Sequence, residues 1–241
     1  MAGTIKINTG NTRMIAHQGL HALERGNTNQ AFIAAGNREK YYGIETDVQR
    51  TGDGKYVIIH DETTGNISRT NLRVAGSTLE ELRAITLLDN EGKPGRADLR
   101  LPTLQEYFKI CKFYEKKSIL EIKVPMQKES LAEIVNIAKE MGQLDDTVFI
   151  SFHRRVLIDL RELLPDHPMQ YLTTAWNEDV REYVLKYNLG VDIAWTVLSE
   201  TAFREMKALG LEVNSWNVDD PALGEKLASW GIDYLTTGIL E

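Results

Sequence analysis

The chain has 241 residues, of which 42% are hydrophobic and 26% charged, with 6 Pro and 18 Gly. This is the composition of an ordinary globular protein and excludes disorder and fibrous repeats. A formal charge of −7 argues against a nucleic-acid partner or a stable membrane association through basic residues.

Short apolar runs, often β-branched, alternate with longer amphipathic segments. The first run, Met14–Ala16, leads into a helical segment over Asn27–Asn37 and a second run, Gly43–Val48. The alternation then breaks. Tyr56–Pro102 holds a short apolar run, Tyr56–His60, followed by polar text rich in Arg, Gly, Thr and Asn, far longer than an ordinary βα loop of ~2–6 residues. It resumes with a helix over Thr103–Tyr114, where Thr103 and Glu106 fit a capping box, and a run over Ser118–Ile122. Helices over Glu129–Met141, Arg154–Leu164, Val180–Tyr187 and Glu200–Leu209 then alternate with runs at Val148–Ser151, Met169–Leu172, Val191–Ala194 and Glu212–Val218. A helix over Pro221–Trp230, with Pro in its first turn, precedes the last run, Tyr234–Thr236. Eight such runs predict a (β/α)8 TIM barrel, an α/β fold forming one domain over residues 1–241. It carries a small insertion of approximately 56–102 after strand 2. Too few residues follow Thr236 for a full helix, so the last helix is expected to be missing or truncated.

The first 14 residues hold no apolar run of ~7–15 residues, so a cytoplasmic protein is the default expectation. The single cysteine, Cys111, fits either redox compartment, and an exported form with a trimmed signal peptide stays open. Cys111 reads as a buried small hydrophobe.

Barrel sites form at the C-terminal ends of the strands. Strand 1 runs into His17, strand 2 carries Glu45 and Asp47, the insertion's apolar run ends at His60 and Asp61, and strand 3 holds Glu121 and Lys123. Side chains two apart share a face, so an inward face here brings three carboxylates and a lysine together. Unpaired carboxylates in one low-dielectric site repel, and a hard divalent cation, Ca²⁺ or Mg²⁺, is the usual remedy. The two histidines read as an acid and a base, giving a candidate phosphodiester-cleaving site.

At these residues the sequence resembles the glycerophosphodiester phosphodiesterase family. His17-Gln18-Gly19, with Asn27, Thr28 and Ala31-Phe32, is similar to its HRG and PENT-x-x-AF opening, and GIETDVQRTGDGKYVIIHD over Gly43–Asp61 is close to its E-x-D-V…T-x-DG…HD block. LPTLQEYF at Leu101, LEIK at Leu120, ISF at Ile150, VNSWNVDD at Val213 and GIDYLTTG at Gly231 follow in the family's order. The resemblance implies metal-dependent hydrolysis of glycerophosphodiesters to sn-glycerol 3-phosphate and an alcohol. It assigns Glu45, Asp47 and Glu121 as metal ligands, His17 and His60 as acid and base, and Lys123 as a phosphate contact. Trp216 falls in a family block and is expected, with Gln18, to bind substrate.

Three positions depart from the family's pattern. Gln18 stands where HRG has its Arg, replacing a bidentate guanidinium by a neutral amide, and Arg25-Gly26 replaces Pro-Glu, with Arg25 a candidate to supply the missing positive charge. A phospholipase D-like or sphingomyelinase D-like lipid phosphodiesterase is the alternative within the same barrel lineage. The polar insertion, apart from Leu87-Leu88, disfavours it. A non-catalytic barrel that binds phosphate ligands is the alternative raised by Gln18. Asp61 is read either as orienting His60 or as capping the next turn. His21, His153 and His167 are expected at the surface. Phe152 and Trp195 are read as core packing or as walls of the pocket, and Asn214 as a companion of Trp216 in the lining. The leaving alcohol and the oligomeric state are not encoded by these motifs.

Overall fold

The computed structural model describes residues 3–241. Eight strands run parallel in one closed sheet: β1 (Arg13–Ala16), β2 (Tyr41–Arg50), β4 (Lys117–Ile122), β5 (Thr147–Ser151), β6 (Met169–Thr173), β7 (Gly190–Ala194), β8 (Val213–Trp216) and β9 (Tyr234–Thr237). Each pairs with the next, and β1 closes the ring by pairing with both β2 and β9. This is the expected TIM barrel. Seven helices follow the strands on the outside: α1 (Asn29–Gly36), α3 (Leu104–Phe113), α4 (Lys128–Glu140), α5 (Arg154–Leu163), α6 (Glu178–Lys186), α7 (Glu200–Ala208) and α8 (Pro221–Trp230).

The helices form where the chain supplies both an apolar stripe and a cap. In α3, Leu104, Tyr107, Phe108 and Cys111 recur at helical spacing on the buried face, and Thr103 and Glu106 close the reciprocal capping box. The same cluster takes Phe32 from α1, Leu131 and Ile134 from α4 and Phe203 from α7, each worth about 1.5–3 kcal/mol of burial. Helix α1 begins two residues later than expected. Asn27 takes a left-handed conformation, φ +56°, and Thr28 becomes the N-cap, because the Asn27 side chain is committed inside the barrel mouth.

Between β2 and α3 the chain makes β3 (Tyr56–Ile58), antiparallel to the far end of β2, and a one-and-a-half-turn helix, α2 (Leu79–Ala84). Val57, Ile59, Val74, Leu82, Leu87, Leu99 and Leu101 give this segment a small core of its own, separate from the barrel. Among the described residues no helix follows β9. Residues 239–241 instead run extended beside residues 5–7, with Ile5 N donating to Ile239 O (3.0 Å) and Glu241 N to Ile5 O (2.8 Å).

The barrel is plugged at the N-terminal ends of its strands. The Arg13 guanidinium lies over the rings of Tyr42 (5.0 Å) and Tyr234 (5.3 Å) and donates to the Tyr234 hydroxyl at 2.7 Å. Above it Ile15, Ile119, Ile150 and Leu172 fill the interior. The carboxylates of β2 and β4 lie beyond this apolar layer, toward the opposite mouth.

Candidate active site

The parallel register sets the first part of the site. Asp47 on β2 lies opposite Glu121 on β4, and Glu45, two residues back, shares its face. All three carboxylates are buried, and one oxygen from each lies within 4.8 Å of the others. The donor set is oxygen only and acidic throughout, which is the chemistry that holds a hard divalent cation. Lys123 reaches back to them, with Nζ at 3.3 Å from Asp47 Oδ1 and 3.2 Å from Glu121 Oε1.

Burial dominates the electrostatics. It pushes Glu121 up to about 8, aided by repulsion from Asp47, and raises Glu45 well above the usual carboxylate range, aided by Asp47 and Glu121. Burial pushes Asp47 up as well, but Lys123, His60 and the Asn27 amide outweigh it and hold this carboxyl below its ordinary value. One lysine thus neutralises one of three carboxylates, and the remaining two favour a proton or a cation.

The turn after β1 supplies donors to the trio. Gln18 sits at φ +51° and Gly19 at φ +72°, and a Cβ on Gly19 would stand 2.5 Å from the carbonyl carbon of Ala31. Only glycine fits there. The turn aims Gln18 N at Glu45 Oε2 (2.8 Å) and Gln18 Nε2 at Asp47 Oδ2 (3.2 Å). Asn27 Nδ2 donates to the same Asp47 oxygen at 2.7 Å, and Thr46 Oγ1 to Asn27 Oδ1 at 2.6 Å.

Two imidazoles face the carboxylates. His17 Nε2 lies 3.9 Å from Glu45 Oε2, while its Nδ1 lies 3.2 Å from His21 Nδ1, whose ring meets it edge-on. Burial, with His21 beside it, lowers His17 to about 4, so the ring is neutral at pH 7. His60 Nδ1 lies 2.7 Å from Asp61 Oδ1, and Asp61 accepts a second bond from Asn66 at 2.7 Å. Asp61 therefore orients His60, leaving Nε2 to the cavity. Gln49 Nε2 fixes the segment, sharing its two N–H groups among the carbonyls of Ile59 (3.1 Å), His60 and Asp61 (both 2.9 Å).

An open cavity joins these groups. Its walls are His17, Glu45, His60, Glu121 and Lys123 on one side and Ile150, Leu172, Phe152 and Trp216 on the other, with Asp192, Asn217 and Thr236 between them. Phe152 and Trp216 meet edge to face, ring centres 5.6 Å apart. Gln18 is outside this lining. It faces an adjoining hollow with Arg25, Gly26, Asn27 and the underside of the insertion, and His60 lines both this hollow and the main cavity.

Several sequence expectations are corrected. His21 packs against His17, and His167 is tied to Thr147 O at 2.8 Å against the Phe149 ring, so neither is a free surface residue. His153 is half-buried at the start of α5. Trp195 is 42% exposed and lies off the cavity. Asn214 turns to Thr236, Nδ2 to Oγ1 2.8 Å, rather than to the lining. Arg25 does not bring its charge to the carboxylates: its guanidinium is spent on the carbonyls of Leu88 and Asp89 in the insertion. Asp192, Asn217 and the Asn27 contact to Asp47 were not foreseen. Asp192 was legible in principle, as a lone acid in the interior-facing register of an otherwise apolar strand.

The profile of the glycerophosphoryl diester phosphodiesterase family matches residues 17–238, beginning on His17. The chain belongs to this family. A glycerophosphodiester phosphodiesterase of Caldanaerobacter subterraneus is 26% identical over 236 residues, covering 94% of this chain and 93% of that one. A Bacillus subtilis glycerophosphodiester phosphodiesterase is 24% identical, covering 92% of this chain and 82% of that one. Among solved structures, a Parabacteroides distasonis glycerophosphodiester phosphodiesterase superposes with a TM-score of 0.76 at 26% identity, over 95% of this chain and 93% of that one. An Oleispira antarctica phosphodiesterase, solved with its product sn-glycerol 3-phosphate, shares the fold at TM-score 0.85 and 23% identity, over 97% of this chain and 95% of that one. No described helix is long and apolar enough to cross a membrane.

Proposed function

We propose that this member of the family hydrolyses glycerophosphodiesters to sn-glycerol 3-phosphate and an alcohol, with one divalent cation, Mg²⁺ or Ca²⁺, held by Glu45, Asp47 and Glu121. One observation carries the reading: two of three clustered buried carboxylates, Glu45 and Glu121, line a single cavity together with the imidazoles of His17 and His60. A bound cation would draw negative charge off the phosphate oxygens and make phosphorus easier to attack. Lys123, already between Asp47 and Glu121, presents its ammonium to a non-bridging oxygen. One of His17 and His60 takes the proton of the attacking oxygen. The other gives a proton to the departing alkoxide as the P–O bond breaks. Asp61 and Gln49 hold His60 in place for this, and the neutral state of His17 leaves it free to accept a proton.

Trp216 offers an apolar wall to the substrate, and Gln18 acts through the oxygen of Asp47 and the adjoining hollow. With no guanidinium at this position, phosphate affinity is expected to rest on the cation and Lys123. The test is turnover of glycerophosphocholine and bis(p-nitrophenyl) phosphate after EDTA treatment and after adding back Mg²⁺ or Ca²⁺, beside lipid micelles. Metal-restored turnover of the soluble diesters supports the reading. Turnover confined to micelles would favour the lipid enzyme, and no turnover with a bound metal would leave a binding protein.

A further inference from the structure

Asp192 is a buried carboxyl group that the proposed reaction does not use. It sits on β7, 1% exposed, on the cavity wall across from the carboxylate trio, with Ile150 and Leu172 beside it. Its Oδ1 is fully buried and has no hydrogen-bond donor among the described residues. Asn217, on the same cavity, also keeps a buried Oδ1 without a donor. Neither neighbour reaches that oxygen: the amide of Asn214, its partner in the strand register, donates to Thr236 and lies against the Asp192 carboxyl without serving Oδ1, and the Trp216 indole N–H goes to the Asp192 backbone carbonyl at 3.1 Å.

A buried acceptor left open is costly, so two of them on residues that line one cavity mark a place where a ligand brings donors. The substrate must also place its phosphate against the cation site and Lys123. What remains of a glycerophosphodiester on the glycerol side is a pair of free hydroxyls, which are donors. We propose that Asp192, together with Asn217, receives the free hydroxyls of the substrate's glycerol moiety and is the residue that selects a glycerol ester over other phosphodiesters. This rests on the proposed function. Burial supports it, since Asp192 is 1% exposed, whereas Phe152 on the same cavity is 38% exposed and leaves room for alcohols of differing size to depart. Its protonation supports it too. Burial pushes Asp192 up to about 8, so at neutral pH it is a neutral acid able to accept from one hydroxyl and donate to another, and poorly suited to an ammonium head group.

The experiment compares wild type with Asp192→Ala and Asp192→Asn in three readouts. The melting temperature of the unliganded protein should stay level or rise in both variants, because an unsatisfied group is removed. Affinity for sn-glycerol 3-phosphate should fall about tenfold in Asp192→Ala and a few-fold in Asp192→Asn, which keeps one acceptor, while affinity for inorganic phosphate is unchanged. The kcat/KM for glycerophosphoethanolamine should fall likewise while that for bis(p-nitrophenyl) phosphate, which lacks hydroxyls, is retained. Equal losses for phosphate and glycerol phosphate, or a lowered melting temperature with the selectivity intact, would make Asp192 a structural residue and overturn the proposal. A selective loss of phosphoethanolamine binding would overturn it in favour of the leaving group. If wild type turns over no diester, the proposed function fails, and the ratio of glycerol phosphate to phosphate affinity still decides the role of Asp192. Should Asp192→Ala not fold, Asp192→Asn gives the same readouts.

Discussion

Replacing Glu121 by Gln keeps the shape of the buried trio and removes one of its ionisable groups. Glu121 is raised from 4.5 to about 8 by burial and by Asp47, so at pH 7 the folded, metal-free protein holds a proton that the unfolded chain has released. At 1.36 kcal/mol per pH unit between 4.5 and 7, that costs ~3 kcal/mol. A glutamine carries no such penalty. Lys123 keeps its Asp47 partner at 3.3 Å, so the substitution does not strand a cation. At about 2–4 °C per kcal/mol for a chain of this size, Glu121→Gln should melt ~6–12 °C above wild type in EDTA. With saturating Mg²⁺ or Ca²⁺ the order should narrow or reverse, because the native carboxylates gain a ligand that the amide holds less well. Differential scanning calorimetry with and without metal reads both halves. A variant that melts at or below wild type in EDTA, or that gains as much from metal as wild type does, would refute the electrostatic reasoning.

The same group fixes a pH dependence. Between pH 4.5 and about 8 the folded metal-free protein binds more protons than the unfolded chain, so stability in EDTA should fall as pH rises through this window, and chemical denaturation in Glu121→Gln should show a flatter profile. Asp61→Ala removes the oxygen 2.7 Å from His60 Nδ1 and should lower kcat about 10–100-fold with KM near wild type in steady-state assays, and an equal rise in KM would speak against an orienting role. Gly19→Ala meets both a positive φ and a backbone contact at 2.5 Å, and thermal melts should show a loss of about 2 kcal/mol or more. Arg25→Ala frees the Leu88 and Asp89 carbonyls, so hydrogen exchange should quicken in residues 86–96 while metal affinity is kept.

The barrel was legible because each strand and helix announces itself locally. Pro221 and the Thr103 capping box marked helix starts within a residue or two, and the period of two in β2 and β4 was enough to set Glu45, Asp47 and Glu121 on one face. What was not legible depends on contacts between distant segments. Asn27 reads as the first residue of a helix until Asp47, twenty residues on, claims its amide and bends it left-handed. His21 reads as a surface residue because nothing local says that the loop after β1 folds it back onto His17. Arg25 offered a plausible replacement for the missing charge at Gln18, and only the fold of the insertion, which presents two carbonyls to it, shows where that charge is spent. Asp192 was overlooked because its strand reads as apolar filling, and nothing local says that one of its oxygens is left without a donor.

The central claim is that the carboxylate trio and the two histidines release sn-glycerol 3-phosphate from a glycerophosphodiester in a metal-dependent reaction. It is tested most directly by following glycerophosphoethanolamine by ³¹P NMR with wild type, His17→Ala and Glu45→Ala, each with EDTA and with Mg²⁺ or Ca²⁺. The account predicts that the diester resonance gives way to that of sn-glycerol 3-phosphate only in the wild type and only with metal. Phosphoethanolamine as the product, turnover in EDTA, or turnover that survives in either variant would contradict it.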